Sequence, residues 1–295
     1  MPEKPFVSVI IPVKNRADMI RSCLDSLLAL NYPKFEVIVI DNDSTDETAA
    51  IVSEYMVKLV VETEPGAYPA RNSGISQAQG EIIAFTDADC IVDKNWLTEI
   101  VDCFNDDEVG GAGGNLLPVK PDKEVEEFLS LGKLRLYDSL RKSVIKSDEQ
   151  RFLSGALGSA NMAFRSSVLK VLSGFDPELK YFGGDYDLSW RVQMLGFKLI
   201  YNPRAVVHHR MRSTASSMIR QFYYFGKGLP LLLKKQPGRF SYFQIKTYFF
   251  HILEFRLKLP IQVLMTLDLL YLFLIFLIIS CFVPGLFFIP WILGG

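Results

Sequence analysis

Two carboxylates stand one residue apart in the stretch "IIAFTDADC": Asp87 and Asp89, placed directly after the apolar run Ile82–Phe85. Like charges at that spacing repel each other unless a cation lies between them. A hard divalent ion such as Mg2+ or Mn2+, which prefers oxygen ligands, answers the need. The ordinary alternative is a capping acid and a solvated turn ahead of a helix that opens at Asn95. Polar residues recur at corresponding places: Asn15 and Arg16 follow the run "FVSVIIPV", while Asp41 and Asp43 close the run "FEVIVIDND". Asp43 is also a candidate helix cap. Farther on, "GGDYDLSWR" carries Asp185 and Asp187, and "AVVHH" ends in His208 and His209. Asp187 lies four residues before Arg191, the spacing of an ordinary ion pair along a helix. Alternation along a strand puts His208 and His209 on opposite faces, so only one of them joins a site.

The elements that must position these residues are legible as an alternation. Continuous apolar runs at 6–13, 35–41, 57–62 and 81–87 read as strands buried on both faces. Apolar residues at helical spacing, or helix-forming sequence, fill 19–30, 46–56, 68–79 and 95–106, and Gly80 follows the third of these as a stop signal. Strands alternating with helices predict an α/β domain with a parallel sheet. Ligands of such sheets lie outside the carboxyl ends of the strands, where Asn15, Asp41, Asp43, Asp87 and Asp89 all fall. A dinucleotide-binding domain needs a GxGxxG turn after its first strand; here that turn reads "PVKNRADM", without glycine. The same lack disfavours a sugar-nucleotide pyrophosphorylase.

Composition narrows the class. The 295 residues carry a formal net charge of −1, which argues against a nucleic-acid partner. Cys23, Cys90, Cys103 and Cys281 form no CxxC or zinc spacing and read as reduced thiols of a cytosolic compartment. Cys90, beside the acids, reads as a structural thiol or a ligand. No signal peptide is read in "MPEKPFVSVIIPVKN". Residues 261–282, "IQVLMTLDLLYLFLIFLIISCF", are long enough to cross a bilayer, with Asp268 as their one charge. Lys234, Lys235, Arg239, Lys246, Arg256 and Lys258 precede that run, which predicts a cytoplasmic catalytic side. Residues 213–260 mix aromatics, aliphatics and bases, as in amphipathic helices on an anionic membrane surface.

Four stretches, "VSVIIPVKNR", "VIVIDNDSTDET", "ARNSGISQAQGEIIAFTDADC" and "FGGDYDLSWRVQMLGFKLIYNPRAVVHH", together resemble the family 2 glycosyltransferases over about residues 5–230. The resemblance implies a GT-A fold, a Rossmann-like, mostly parallel α/β sheet flanked by helices, here with a C-terminal amphipathic and transmembrane helical segment. Together with the composition it divides the chain into a catalytic domain at 1–212, interfacial helices at 213–260 and an anchor at 261–295. The nucleotide-sugar half is 1–115 and the acceptor half 116–212.

It also implies roles. Asp89 holds Mg2+ or Mn2+, and His209 supplies a further metal or diphosphate contact. Asp87 reaches the ribose or the metal's waters. Asp41 meets the base and Asp43 the ribose, with Pro12, Asn15 and Arg16 lining the same pocket. Arg71 contacts the diphosphate, or else is a surface arginine on a helix. Gly158, Ser159 and Asn161 belong to a loop and strand leading toward the acceptor, with Asp187 nearby. Asp185 is the general base, with Asp187 as the alternative. Where the family usually reads Glu-Asp-x-Asp-Leu this chain has Gly184 before that aspartate. The expected activity is inverting transfer from a nucleotide-sugar, most simply a UDP-sugar, to a lipid-linked or glycan acceptor at the cytoplasmic face of the cell membrane. A sugar-nucleotide-forming nucleotidyltransferase and an inactive nucleotide-sugar sensor are the other readings.

Overall fold

The computed structural model describes residues 4–119, 151–152, 156–180, 182–210 and 215–237. The expected membrane span at 261–282, the interfacial stretch 238–260 and residues 120–150 of the expected acceptor half lie outside the described residues. Among the described residues, no helix is long and apolar enough to cross a membrane.

Strands β1 (Val7–Val13), β2 (Phe35–Asp41), β3 (Lys58–Val61) and β4 (Ile82–Phe85) run parallel in the order β3-β2-β1-β4. Val13 stands opposite Asp41, so β1 and β2 release their loops at one edge. β4 stops opposite Ile10, and Asp87 and Asp89 follow it. The sheet continues through β8 (Met162–Arg165), antiparallel to β4 and followed by helix α5 (Ser166–Leu172), and β6 (Val109–Pro118), antiparallel to β8. Then comes β9 (Lys198–His209), parallel to β6. The short strands β5 (Cys90–Val92) and β7 (Arg151–Phe152) pair antiparallel with the end and the first half of β9.

Both faces of the sheet are covered, which is why its central strands are apolar throughout. On one face Val9 and Ile11 pack with Leu24, Leu27, Trp96 and Ile100. Helix α1 (Ile20–Leu28) supplies Ile20, Cys23, Leu24 and Leu27, a stripe at helical spacing, and each leucine so buried is worth about 1.5–3 kcal/mol. On the other face Ile10, Ile38 and Phe85 meet Phe164, Phe175 and Leu188. Helix α3 (Ala67–Gln77) lies close there: a Cβ on Gly74 would stand 2.5 Å from the Ile10 side chain.

The expected strands and helices are present with small shifts. Helix α2 (Thr48–Val52) is shorter than the expected 46–56, because the Asp46 carboxylate bonds the Thr48 amide and the Ala17 amide and so stands ahead of the helix. The helix expected at 95–106 is α4 (Trp96–Asp102) with a 3-10 turn at Cys103–Asn105. Strand β6 escapes sequence reasoning because it begins "VGGAGGN", with little apolar pattern. Its glycines make room for large neighbours. Added Cβ atoms would meet Phe197 at Gly110, Phe164 at Gly111 and the Ala205 carbonyl, 2.0 Å away, at Gly114.

Two joints hold the second half. Asn161, expected on the acceptor side, is instead buried in the frame. Its Nδ2 donates to the carbonyls of Asn115 and Ala205, both at 2.9 Å, and its Oδ1 accepts from Trp96 Nε1 at 2.8 Å. It thereby ties β6, β9 and α4 together, and its amide is buried in the frame.

The other joint is helix α7 (Ala215–Lys235), which packs onto the catalytic domain although the sequence boundary falls at 212. Leu232 fills the space over Gly183, and Gly228 lets the helix approach Phe182. Gln236 donates to Asp187 at 2.7 Å, while Lys235 pairs with Asp176 and, at 2.7 Å, with Glu178.

Asn161→Ala should leave two buried carbonyls and one indole N–H unsatisfied. An expected loss of about 2–4 kcal/mol follows from the usual cost of such groups, read as a lower urea midpoint with unchanged slope.

Candidate active site

At the edge where β1 and β2 end, the two loops fasten each other. The Asn15 amide donates to Ser44 Oγ at 2.9 Å, and the Thr45 amide donates to Asn15 Oδ1 at 2.8 Å. The Arg16 amide donates to Thr48 Oγ1 at 2.8 Å. Asn15 and Asp43 adopt φ of 51° and 59°, a left-handed conformation that Asn and Asp tolerate better than most residues. Asp41 is buried and accepts the Ser44 amide at 3.1 Å, leaving Asp43 and Asn15 exposed and Pro12 and Arg16 half-buried along the rim. Asn42, which sequence reasoning passed over, is the latch beneath. Its side chain donates to the carbonyls of Glu62 and Glu64 and accepts the Gly66 amide at the start of α3.

From α3 comes Arg71. It is 3 % exposed and donates to Asp87 Oδ1 at 2.5 Å, so it is no surface arginine. Its guanidinium stands 5.7 Å from the Tyr68 ring centre and 5.9 Å from that of Phe175. Such a buried charge is stable only when paired, and Asp87 is the partner the structure gives it.

Across from it, helix α6 (Gly184–Met194) begins after Gly183, whose φ of 88° suits glycine. Asp185 lies in its first turn. Its carboxylate accepts the Ser159 amide at 3.3 Å and the Tyr186 amide at 3.0 Å. Burial raises its pKa above the ordinary 3.8, while Arg71 and the amides pull it back. A carboxylate made more basic by burial has the character of a general base. Ser159 is half-buried and Gly158 exposed, with nothing within 4 Å of where its Cβ would be. Asp187 is different. It is 2 % exposed, pairs with Arg191 Nε at 2.7 Å and accepts from Gln236, so the expected helical ion pair is present and its carboxylate serves the fold rather than an acceptor.

The β5–β9 pairing sets Cys90 opposite His209 and Ile91 opposite His208. Asp89 Oδ1 then lies 3.5 Å from His209 Nε2, and the ligand atoms of Asp89, Cys90 and His209 all lie within 4.8 Å of one another. Burial, reinforced by Asp87 and Asp89, raises the Cys90 thiol well above its usual range and so favours the thiol over the thiolate. The donors left are a hard carboxylate oxygen and a borderline imidazole nitrogen, a pair that fits Mn2+ better than Mg2+. A hollow beside Asp89 is lined by Met19, Ser22, Ile91 and Arg210.

The geometry has counterparts. Residues 8–172 match the sequence model of glycosyl transferase family 2. The glycosyltransferase AglE of Haloferax volcanii is 31% identical over 76% of this chain and 73% of its own length. The mannosyltransferase PcManGT of Pyrobaculum calidifontis, solved with GDP-Man and Mn2+, superposes with a TM-score of 0.58 at 26% identity, over 79% of this chain and 64% of that one. TarS of S. aureus, solved with UDP-GlcNAc, shares the fold with a TM-score of 0.55 at 21% identity, over 77% of this chain and 66% of that one. The chain spans 18% and 62% of the lengths of two further curated relatives. The α/β fold is therefore GT-A-like.

The raised pKa of Asp185 carries a stability cost with a definite sign. Between pH 3.8 and its folded pKa the native state holds the proton that the unfolded chain has released, so stability falls as pH rises through that window. Asp185→Asn, which removes the charge and keeps the shape, should melt above the wild type at pH 7. The gain should vanish as the pH approaches 3.8, as a series of thermal unfolding curves would show. An equal difference at both pH values would contradict the assignment.

Proposed function

The chain belongs to glycosyl transferase family 2 and is a glycosyltransferase; on that premise we propose that it transfers a sugar with inversion from a nucleotide-sugar, with Asp185 as base. The observation that carries this reading is the placement of Asp185: in the first turn of α6, its basicity raised by burial and lowered by Arg71, which is itself paired to the strand-end Asp87. The nucleoside would lie at the edge formed by Asn15, Asp41 and Asp43, whose loops are already fixed in the free protein. Asp185 takes the proton of an acceptor hydroxyl as that oxygen bonds to the anomeric carbon. The carbon–phosphate oxygen bond breaks, and the nucleoside diphosphate leaves with the bonding pair. Asp89 and His209 would hold a divalent ion, which when bound supplies positive charge against the departing diphosphate.

A UDP-sugar is the donor expected from the sequence, and the complexes of TarS with UDP-GlcNAc and of PcManGT with GDP-Man make these two the first donors to try. The acceptor we propose is a membrane-linked glycan intermediate, met at the cytoplasmic face of the cell membrane. The apolar run 261–282 supports this reading, as does the exposure of Arg220, Tyr223, Tyr224, Lys227 and Lys234 on α7. Bases and tyrosines so arranged suit an anionic bilayer surface. A nucleotidyltransferase would release pyrophosphate from a nucleoside triphosphate, and a sensor would leave the donor intact, so product analysis separates both from transfer.

With Mn2+ and either donor, release of nucleoside diphosphate should be measurable, and chelation by EDTA should abolish it. Asp89→Ala should lose Mn2+-dependent nucleotide binding while remaining folded. Asp185→Asn should lower turnover by about 10²–10⁴-fold with little change in donor affinity. Undiminished turnover in EDTA would refute the metal's part, and full activity of Asp185→Asn would refute the base.

For the membrane reading, replacing Arg220, Lys227 and Lys234 together by Glu should sharply reduce cosedimentation with phosphatidylglycerol vesicles at low salt. Unchanged binding would show that α7 does not face the lipid.

A further inference from the structure

The residue before Asp185 is Gly184, where an acidic side chain is expected from the resemblance. Backbone conformation does not require glycine there. Gly184 lies within α6 and is absent from the positions with positive φ, which include its neighbour Gly183. Alanine would ordinarily be the better helix former by about 1 kcal/mol. What requires glycine is a neighbour. A Cβ at this position would stand 2.7 Å from Cζ of Tyr68, 2.8 Å from Cε2 and 2.9 Å from Cε1. The hydroxyl-bearing end of the tyrosine ring rests against the Gly184 backbone, in the room that a longer side chain would enter.

Tyr68 is held there from three directions. It stacks on Phe175, centroids 5.3 Å apart and planes 19° apart, and Phe175 meets Phe85 of β4 edge-on at 5.5 Å. The Arg71 guanidinium stands over the same ring. Tyr68 also sits two residues after Gly66, whose amide is bonded to Asn42 in the loop that follows β2. The ring therefore lies between the Arg71–Asp87 pair and the first turn of α6.

We propose that Tyr68 is a positioning residue for Asp185: its ring replaces the missing side chain at 184, and its hydroxyl fixes the first turn of α6 so that the Asp185 carboxylate keeps its place at the Ser159 amide. This rests on the reading of Asp185 as the base. Burial, and then the charge of Asp185, push the Tyr68 phenol far above its ordinary range, while Arg71 and the amides of Gly184 and Asp185 oppose the rise. The hydroxyl thus keeps its proton over the whole working range of pH. Burial, then the Arg71 charge and the Tyr186, Ser159 and Asp185 amides set the basicity of the Asp185 carboxylate, and its charge in turn acts on Tyr68.

Two measurements test the proposal. The first needs no substrate. Gly184→Ala should lower the melting temperature in the wild-type background, because its methyl group meets the ring. In a Tyr68→Ala background the same change should be neutral or stabilising. An equal loss in both backgrounds would overturn the pairing.

The second follows Mn2+-dependent hydrolysis of UDP-GlcNAc and of GDP-mannose. Tyr68→Phe, which keeps the stack, should lower kcat about tenfold, the scale of one hydrogen bond, with KM for the donor unchanged and the acidic limb of the kcat–pH profile displaced. A Tyr68→Phe enzyme with wild-type kcat and pH profile, beside a crippled Asp185→Asn, would overturn this proposal alone. A fully active Asp185→Asn would overturn the base, and this proposal with it.

Discussion

The buried pair of Arg71 with Asp87 is the interaction on which the rest of the site depends. A guanidinium only 3 % exposed has no place in an apolar layer without a counter-charge, and the first acid after β4 supplies it. That single contact fixes α3 against the edge of the sheet. It gives two aromatic rings a cation to stack beneath, and it places positive charge within reach of Asp185. The acids at the strand ends are thus not alike. Asp87 is paired to the buried Arg71 guanidinium, whereas Asp89 faces the His209 imidazole across the β5–β9 pairing.

The strand-end placement of Asp41, Asp43, Asp87 and Asp89 was legible because buried parallel strands are unbroken apolar runs, and their ends are where polarity returns. The ion pair of Asp187 with Arg191 was legible for the same kind of reason, since helix spacing alone brings the two together. What local pattern cannot reveal is which polar residue the interior has taken. Asn161 reads like any small polar residue of a loop, yet three elements meet on its amide. Strand β6 was hidden because its glycines are set by the bulk of Phe164, Leu199 and Phe197, residues more than fifty positions away. Tyr68 had one faint signal, the glycine where an acid is expected, and that signal acquires meaning only when the two positions are seen in contact.

The two sides of the site differ in how they are built. The side proposed for the nucleotide is a pair of short loops locked by backbone-to-side-chain bonds at Asn15, Ser44, Thr45 and Asn42. It is rigid before any ligand arrives, which reduces the ordering cost of binding. The other side, where the proposed acceptor would approach, rests on the N-terminal turn of α6 and on a loop at 156–161 whose Gly158 stands in open space.

Helix α7 does not hang from this scaffold; it is clasped to it on both sides of Asp185. Leu232 sits on Gly183, Gly228 against Phe182, and Gln236 on Asp187. These contacts bracket the aspartate in sequence, so α7 and the first turn of α6 share one packing surface, and a change of bulk at Gly183 or Leu232 would be felt on both sides of residue 185.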